Sequence, residues 1–401
     1  MSGHGSDLIL VLNCGSSSIK FAVFEAGEGP PARVPAWNGK VQGIGGSTPD
    51  FGETGVPPFA VTLDASDPHR AALQIISERL AVRLEGRRIV TVAHRVVHGG
   101  VKYAAPIRVD AAVLADLISY VPLAPLHQPF ALEAMEILLR ERPDIPQVAC
   151  FDTAFHHTLD KVERQLPLPY AAWERGLRRY GFHGLSYAYM TVALPERHGA
   201  LARGRTIVAH LGSGASLCGM RELRSVATTM GFSALDGLMM GTRTGVLDPG
   251  ALLYMMEIEK LSLQEVAHVL YHQSGLLGVS GISSEPRVLL PLEAGDEPEA
   301  SRARDALALY VRRIVREIGA QVAVLGGLDL LVFTAGVGEH SAEIRKRVCD
   351  GLAFLGVALD PVANAADATT ISAPSSAVIV GVEPTNEEWI AASHARRLVT
   401  G

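Results

Sequence analysis

The string Asn13-Cys14-Gly15-Ser16-Ser17-Ser18-Ile19-Lys20 gathers an amide, a glycine-serine turn, three hydroxyls and an ammonium. Backbone N–H groups freed by such a turn, with a lysine beside them, suit a polyanion, and phosphate above all. It is not a Walker loop, because Lys20 is followed by strand-like residues rather than by Ser or Thr opening a helix. Arg95, His127, His183 and Arg243 are further cations or donors, and Asp152 and Glu387 are carboxylates near the ends of apolar runs. Phosphoryl transfer between two anions needs this kind of set: positive charge aimed at an in-line transition state. The arginine fork can clamp a planar carboxylate or the equatorial phosphoryl oxygens.

The elements that must position these groups follow from the pattern of apolar residues. Leu8–Leu12 and Ile19–Phe24 predict two strands joined by a hairpin whose turn carries Gly15, Ser16 and Ser18. Residues 25–67, rich in Gly and Pro, read as short strands and loops, and 71–84 as a helix. A buried-type strand from Ile89 carries Arg95 near its end. A helix over 110–120 and a second helix lead to the strand Gln147–Phe151, with Asp152 just beyond it. Alternating strands and helices predict an α/β domain with a largely parallel sheet, whose ligands gather at the carboxyl ends of strands, where Arg95 and Asp152 both fall. Residues 206–219 repeat the plan of strand, Gly-Ser turn and strand, which predicts an internal duplication. A helix over 303–325 precedes a strand ending in Gly336-Val337-Gly338, a turn able to approach a nucleotide closely. A last strand over 377–382 and a helix over 389–398 follow, with Thr385 or Asn386 as cap and Glu387 and Glu388 in the first turn.

A chain of 401 residues predicts two domains. A charged fraction of 19% against 48% hydrophobic is that of a globular protein. The net charge of −6 argues against a broad nucleic-acid or acidic-membrane surface, so an anionic substrate must be held locally. Cys14, Cys150, Cys218 and Cys349 form no C-x-x-C pair, which points to reduced thiols rather than zinc or disulfides. Without a signal peptide or a membrane-length apolar run, a cytoplasmic location is expected.

The opening string resembles the amino-terminal signature of the acetate kinase family, phosphotransferases of the actin-like superfamily. The blocks Ala93–Gly100, Ala124–His127, Phe151–His156, Arg179–Gly184, Met240–Arg243, Phe333–Glu339 and Pro384–Glu388 continue the resemblance in order. It implies two actin-like, ribonuclease H-like α/β domains with mixed, mostly parallel sheets, over 1–153 with 384–401 and over 154–383. It also implies ATP and acetate as substrates, ADP and acetyl phosphate as products, Mg²⁺ (or Mn²⁺) as cofactor, and a homodimer. Arg95 and Arg243 would contact the acyl substrate and the moving phosphoryl, with His127 among the substrate residues and His183 donating to the transition state. Asn13 and Glu387 would hold Mg²⁺. Lys20 with the turn serines, His210, Leu211, Gly212, Ser213 and Gly214, Glu285, Pro286 and Arg287, and Gly336, Val337, Gly338, Glu339 and His340 would line the nucleotide. Val97, Leu126 and Phe182 would surround the methyl group, with Ala234 where the family usually has Pro.

A carboxylic acid with a pKa near 4 is already ionised at neutral pH, so no base is needed. Asp152 is therefore expected to orient the hydration shell of Mg²⁺ and the reacting groups. Ala234 predicts room for a longer acyl chain, hence a propionate kinase as the alternative. Ser213, Val246, Glu285, His340 and Cys14 also depart from the usual family residues; Ser213 and Glu285 fall in the nucleotide-facing blocks, so that beside ATP, the leading donor, GTP, another nucleotide and pyrophosphate stay open. A sugar kinase would require a base and a polar pocket. A nucleotide-dependent protein switch of the actin or chaperone kind is the reading from another class.

Overall fold

The structure is a computed structural model, and it describes residues 7–125 and 127–400. Two compact units emerge: Met1–Phe155 with Asn386–Gly401, and His156–Thr385. The boundaries expected from the sequence lay at 153/154 and 383/384.

The first unit is built on an eight-stranded sheet. Its strands are β1 (Leu8–Cys14), β2 (Ser18–Glu25), β3 (Trp37–Gln42), β4 (Asp50–Glu53), β5 (Val56–Ala60), β6 (Ile89–Val96), β7 (Ile107–Val109) and β8 (Gln147–Phe151), in the order β5-β4-β3-β2-β1-β6-β8-β7. Leu8, Leu10, Leu12 and Cys14 of β1, with Ile19, Phe21 and Val23 of β2, share a core with Ala72, Ile76 and Leu80 of the helix Pro68–Arg83 and Ala134 of the helix Gln128–Glu141. Strand alternation puts Asn13 and Lys20 on the opposite face. The helix Glu387–Thr400 packs against β1, β2, β6 and β8.

The second unit holds β9 (Thr206–Leu211), β10 (Ala215–Arg221), β11 (Arg224–Thr228), β12 (Leu330–Thr334) and β13 (Ile379–Val382), in the order β11-β10-β9-β12-β13. The helix Pro298–Leu325 buries Ala303, Leu307, Tyr310, Ile314, Ile318, Gln321 and Leu325, a stripe at helical period.

The expected duplication is visible in the topology. In each unit a hairpin carries a third antiparallel strand on one side and two parallel strands on the other: β3-β2-β1-β6-β8 and β11-β10-β9-β12-β13. The sheets are mixed, as expected, but they are not mostly parallel. β1 to β5 follow one another through short connections that only antiparallel neighbours can use. The parallel pairs are β1–β6, β6–β8, β9–β12 and β12–β13, the ones joined by helical crossovers. The glycine-rich turn expected at Gly336–Gly338 is instead the body of a helix, Ala335–His340, that starts directly after β12.

Candidate functional site

In the first unit, Asn13 of β1 pairs with Lys20 of β2, and Lys20 with Lys40 of β3, so the three share a row. The turn between β1 and β2 is closed by Gly15 N–H donating to Ser18 O at 2.8 Å, with Ser16 exposed. The helix Pro68–Arg83 braces it: His69 Nε2 lies 3.0 Å from Gly15 O, and its ring stacks on Phe130 at 4.4 Å. Because a carbonyl only accepts, that nitrogen carries the proton.

Arg95 and Asp152 meet, as strand-end placement requires. Arg95 Nε donates to Asp152 Oδ1 and Oδ2 at 3.1 and 3.2 Å, and Nη2 donates to Oδ2 at 2.8 Å. Arg95 Nη1 stands 2.9 Å from Glu387 Oε2 at the start of the final helix. Burial by itself would lower the Arg95 pKa, but Asp152 and then Glu387 more than offset it and hold the guanidinium charged. Burial raises the Glu387 carboxyl above its ordinary range; Arg95 and Lys20 oppose that rise, and Glu388 adds to it. Two cations thus face three carboxylates, a set short of positive charge. Asn13, Asp152 and Glu387 offer hard oxygen donors, the type Mg²⁺ takes. No group of three or more His, Cys, Asp or Glu among the described residues could cage a metal. The donors therefore fit an ion carried largely by phosphate and water.

Val97 and His127 are half-buried, His127 immediately before the helix Gln128–Glu141; Leu126 lies outside the described residues. Buried Gln128, unremarked in the sequence, accepts from His98 N–H at 3.1 Å and donates to His98 O at 3.0 Å, fixing the segment that follows Arg95.

In the second unit, the turn Gly212–Gly214 joins β9 to β10, as Gly15–Ser17 joins β1 to β2. His183 precedes the helix Gly184–His198 with φ +58, a left-handed conformation costly for a residue with a Cβ and characteristic of functional positions. Its ring stacks on His210 at 4.1 Å. A Cβ on Gly214 would lie 3.2 Å from His183 Nε2 and 3.7 Å from Arg243 Nη1, so His183 and Arg243 converge on this turn, and only glycine leaves the space open. Arg243 Nη1 also donates to Ala234 O at 3.2 Å. Burial lowers the Arg243 pKa, with only Tyr271 opposing it, and no carboxylate within ion-pair distance is found for it among the described residues. A desolvated cation beside an open glycine turn is a seat for an anion.

Phe182 is buried. Its carbonyl accepts from His156 Nε2 at 2.9 Å, and His156 Nδ1 lies 2.8 Å from Ser225 Oγ. Arg179 Nη1 donates to the carbonyls of Thr228, Thr229 and Met230, steadying the chain that leads to Ala234. Leu211 is buried and Ser213 exposed. Glu285 precedes the helix Pro286–Leu292 and pairs with exposed Arg287, while Pro286 is buried. This segment approaches the turn through Gly241, whose Cβ would lie 3.0 Å from Ser284 O and 3.8 Å from Ser213 O.

On the helix Ala335–His340, Gly336 and His340 are exposed, Val337 half-buried and Gly338 buried. Glu339 turns inward: its Oε1 accepts from Ala335 N–H at 2.7 Å and Thr385 N–H at 3.2 Å. Sequence reasoning missed Arg345, fully buried, which donates to Gly338 O at 2.9 Å, Glu339 O at 2.7 Å, Asn364 Oδ1 at 2.9 Å and Asn364 O at 2.6 Å, and pairs with Asp367. All five guanidinium N–H groups are occupied, and they anchor the end of that helix. The charge of a lone arginine in a helix pattern gives no sign of such burial.

The sequence profile of the Acetokinase family matches residues 8–393. An acetate kinase of Rhodopseudomonas palustris (strain ATCC BAA-98 / CGA009) is 48% identical over 99% of this chain and 99% of its own. One of Rhizobium meliloti is 44% identical over 98% and 99%. Among solved structures, the Porphyromonas gingivalis acetate kinase superposes with a TM-score of 0.87 at 34% identity, covering 98% of this chain and 100% of that one. A propionate kinase from Francisella tularensis subsp. tularensis SCHU S4 superposes with a TM-score of 0.90 at 32% identity and the same coverage. On its sequence, its two hairpin-centred sheets and its full-length relatives, the chain belongs to the acetokinase family.

Proposed function

We propose that the protein reversibly transfers the γ-phosphoryl group of ATP to acetate, giving acetyl phosphate and ADP. A carboxylate oxygen of acetate attacks the γ-phosphorus, the bond to the β,γ-bridging oxygen breaks, and ADP leaves with that electron pair. Acetate enters already ionised, so no proton is moved.

The observation that carries this reading is Arg243: desolvated, without a carboxylate partner among the described residues, and set beside His183 at the Gly214 turn. Charge spreading over the equatorial oxygens of the transferred group meets the Arg243 guanidinium and the His183 ring there. Arg95, locked in orientation by Asp152 and Glu387, presents its remaining N–H groups to the acetate carboxylate. In the first unit the turn Gly15–Ser18 with Lys20, and in the second unit the turn Gly212–Gly214, are each suited to a nucleotide phosphate. Mg²⁺ would be held by Asn13 and Glu387, with Asp152 ordering its water, and supplies the positive charge that the first unit's site lacks. Mn²⁺ would serve in its place.

A specific observation favours propionate as a second acyl substrate. Ala234 offers only a methyl group, and its carbonyl accepts from Arg243. We also read the protein as a cytoplasmic homodimer. No helix among the described residues is long and apolar enough to cross a membrane, and Leu253, Tyr254, Met256, Ile258 and Leu263 are exposed around the helix Pro249–Glu257. Sedimentation would give twice the chain mass.

The deciding experiment is acyl hydroxamate formation with formate, acetate, propionate and butyrate, each with ATP, GTP or pyrophosphate. The reading requires acetate- and ATP-dependent product that chelation of divalent ions abolishes. ATP hydrolysis indifferent to acetate would favour the protein-switch reading.

A further inference from the structure

Three histidines of the second unit each have Nδ1 against a serine hydroxyl: His156 with Ser225 at 2.8 Å, His183 with Ser216 at 2.8 Å, and His210 with Ser186 at 2.9 Å. For His156 the proton is placed by chemistry. Its Nε2 meets a carbonyl, which can only accept, so the ring is protonated at Nε2 and Ser225 donates to Nδ1.

His183 has the same arrangement with one more member. Ser216 Oγ lies 2.8 Å from His183 Nδ1 and 2.5 Å from Tyr187 OH, and both Ser216 and Tyr187 are fully buried. A phenol is the more acidic hydroxyl, so Tyr187 donates to Ser216 and leaves the serine proton for Nδ1. Ser216 lies directly across from His210 in the β9–β10 ladder, which holds the hydroxyl under the stacked rings.

We propose that Ser216, backed by Tyr187, is the positioning residue for His183: it fixes the tautomer that carries a proton on Nε2 and aims that N–H at the Gly214 turn. The proposal rests on the phosphoryl-transfer reading for its consequence, since a histidine stabilises a developing phosphoryl charge through Nε2 only when that nitrogen carries the proton. The opposite tautomer would point a lone pair at the anion.

The test combines ¹⁵N-histidine NMR with kinetics on Ser216→Ala, Ser216→Thr and Tyr187→Phe. In the native protein the His183 resonances are expected to show Nε2 protonated and Nδ1 accepting. Ser216→Ala is expected to mix the tautomers and lower kcat about tenfold, with KM for ATP and acetate within about twofold. Ser216→Thr, which keeps the hydroxyl, restores kcat, and Tyr187→Phe lowers it about threefold. The proposal is overturned if native His183 carries its proton on Nδ1. It is also overturned if Ser216→Ala leaves both the ¹⁵N pattern and kcat unchanged, or if its only effect is a lower melting temperature. If the native enzyme formed no acyl phosphate, the functional reading would fail while the resonances still decided the tautomer.

Discussion

Arg95 and Asp152 form a forked ion pair in which one carboxylate takes both Nε and Nη2, the shorter contact being 2.8 Å. The Asp152 side chain is 3% exposed and that of Arg95 23%, so the carboxylate lies deeper than the guanidinium it aligns. Replacing Asp152 by Asn keeps the shape and removes the charge that aligns the fork. Asp152→Asn is expected to cost about 3 kcal/mol of stability and to lower kcat/KM for acetate about a hundredfold through misplacement of Arg95. Urea unfolding and steady-state kinetics measure both. Near-native kcat at saturating Mg²⁺ would remove Asp152 from the reaction altogether.

Arg243 is the opposite case. It is desolvated, and no carboxylate pairs with it among the described residues, so the folded protein bears the cost of its charge for the benefit of a ligand. Arg243→Ala is therefore expected to hold or raise the melting temperature while kcat falls by about two to three orders of magnitude. A clear loss of stability would make Arg243 a structural residue instead.

The hairpin turns, the strand-end Arg95 and Asp152, and the capping Asn386 were legible because each follows from a local pattern. Asn386 Oδ1 does accept from Trp389 N–H at 3.0 Å. The fraction of parallel pairing was misread because helical crossovers stand out in a sequence, while the short strands expected within residues 25–67 carry no mark of their antiparallel pairing. Ser216, Gln128, His69 and Arg345 were invisible for another reason. Each acts through a partner distant in sequence, as Ser216 does with His183 and His69 with Gly15, and no periodicity encodes a hydrogen bond across the fold. Glu339 was expected to line the nucleotide, and its sequence gave no hint that its carboxylate turns to the N–H groups of Ala335 and Thr385.

Ala234 bears on acyl-chain length. A proline ring there would fill space beside the carbonyl that Arg243 contacts. One methylene is worth about 1–3 kcal/mol of discrimination in an apolar pocket. Ala234→Pro is expected to lower the propionate-to-acetate ratio of kcat/KM about tenfold, with kcat for acetate little changed. An unchanged ratio would detach this residue from specificity.

Acid should weaken the fold in a defined window. Burial pushes His94, His98, His156 and His394 down to about 4 from 6.5. Between those values the unfolded chain binds protons that the folded chain refuses, so stability falls as pH drops from 6.5 towards 4 and is untouched above that window. Each group contributes on the order of 3 kcal/mol across the whole interval. Unfolding free energies at pH 7, 6 and 5 should fall in turn, and His156→Asn should make the decline shallower whatever its effect at pH 7.

Ala335 opens the helix after β12 at φ +65, and its methyl group faces the Gly212 turn, where an added Cβ would lie 3.5 Å away. The Glu339 carboxylate holds its N–H at 2.7 Å and so maintains a conformation that alanine disfavours by about 1–2 kcal/mol. Glycine adopts it without that strain, although it gains freedom in the unfolded chain. Ala335→Gly is expected to raise unfolding free energy by about 1 kcal/mol. The gain should appear as a higher urea midpoint at constant m-value, because the surface exposed on unfolding is the same. A lower midpoint would mean that the methyl contact with the turn outweighs the backbone strain.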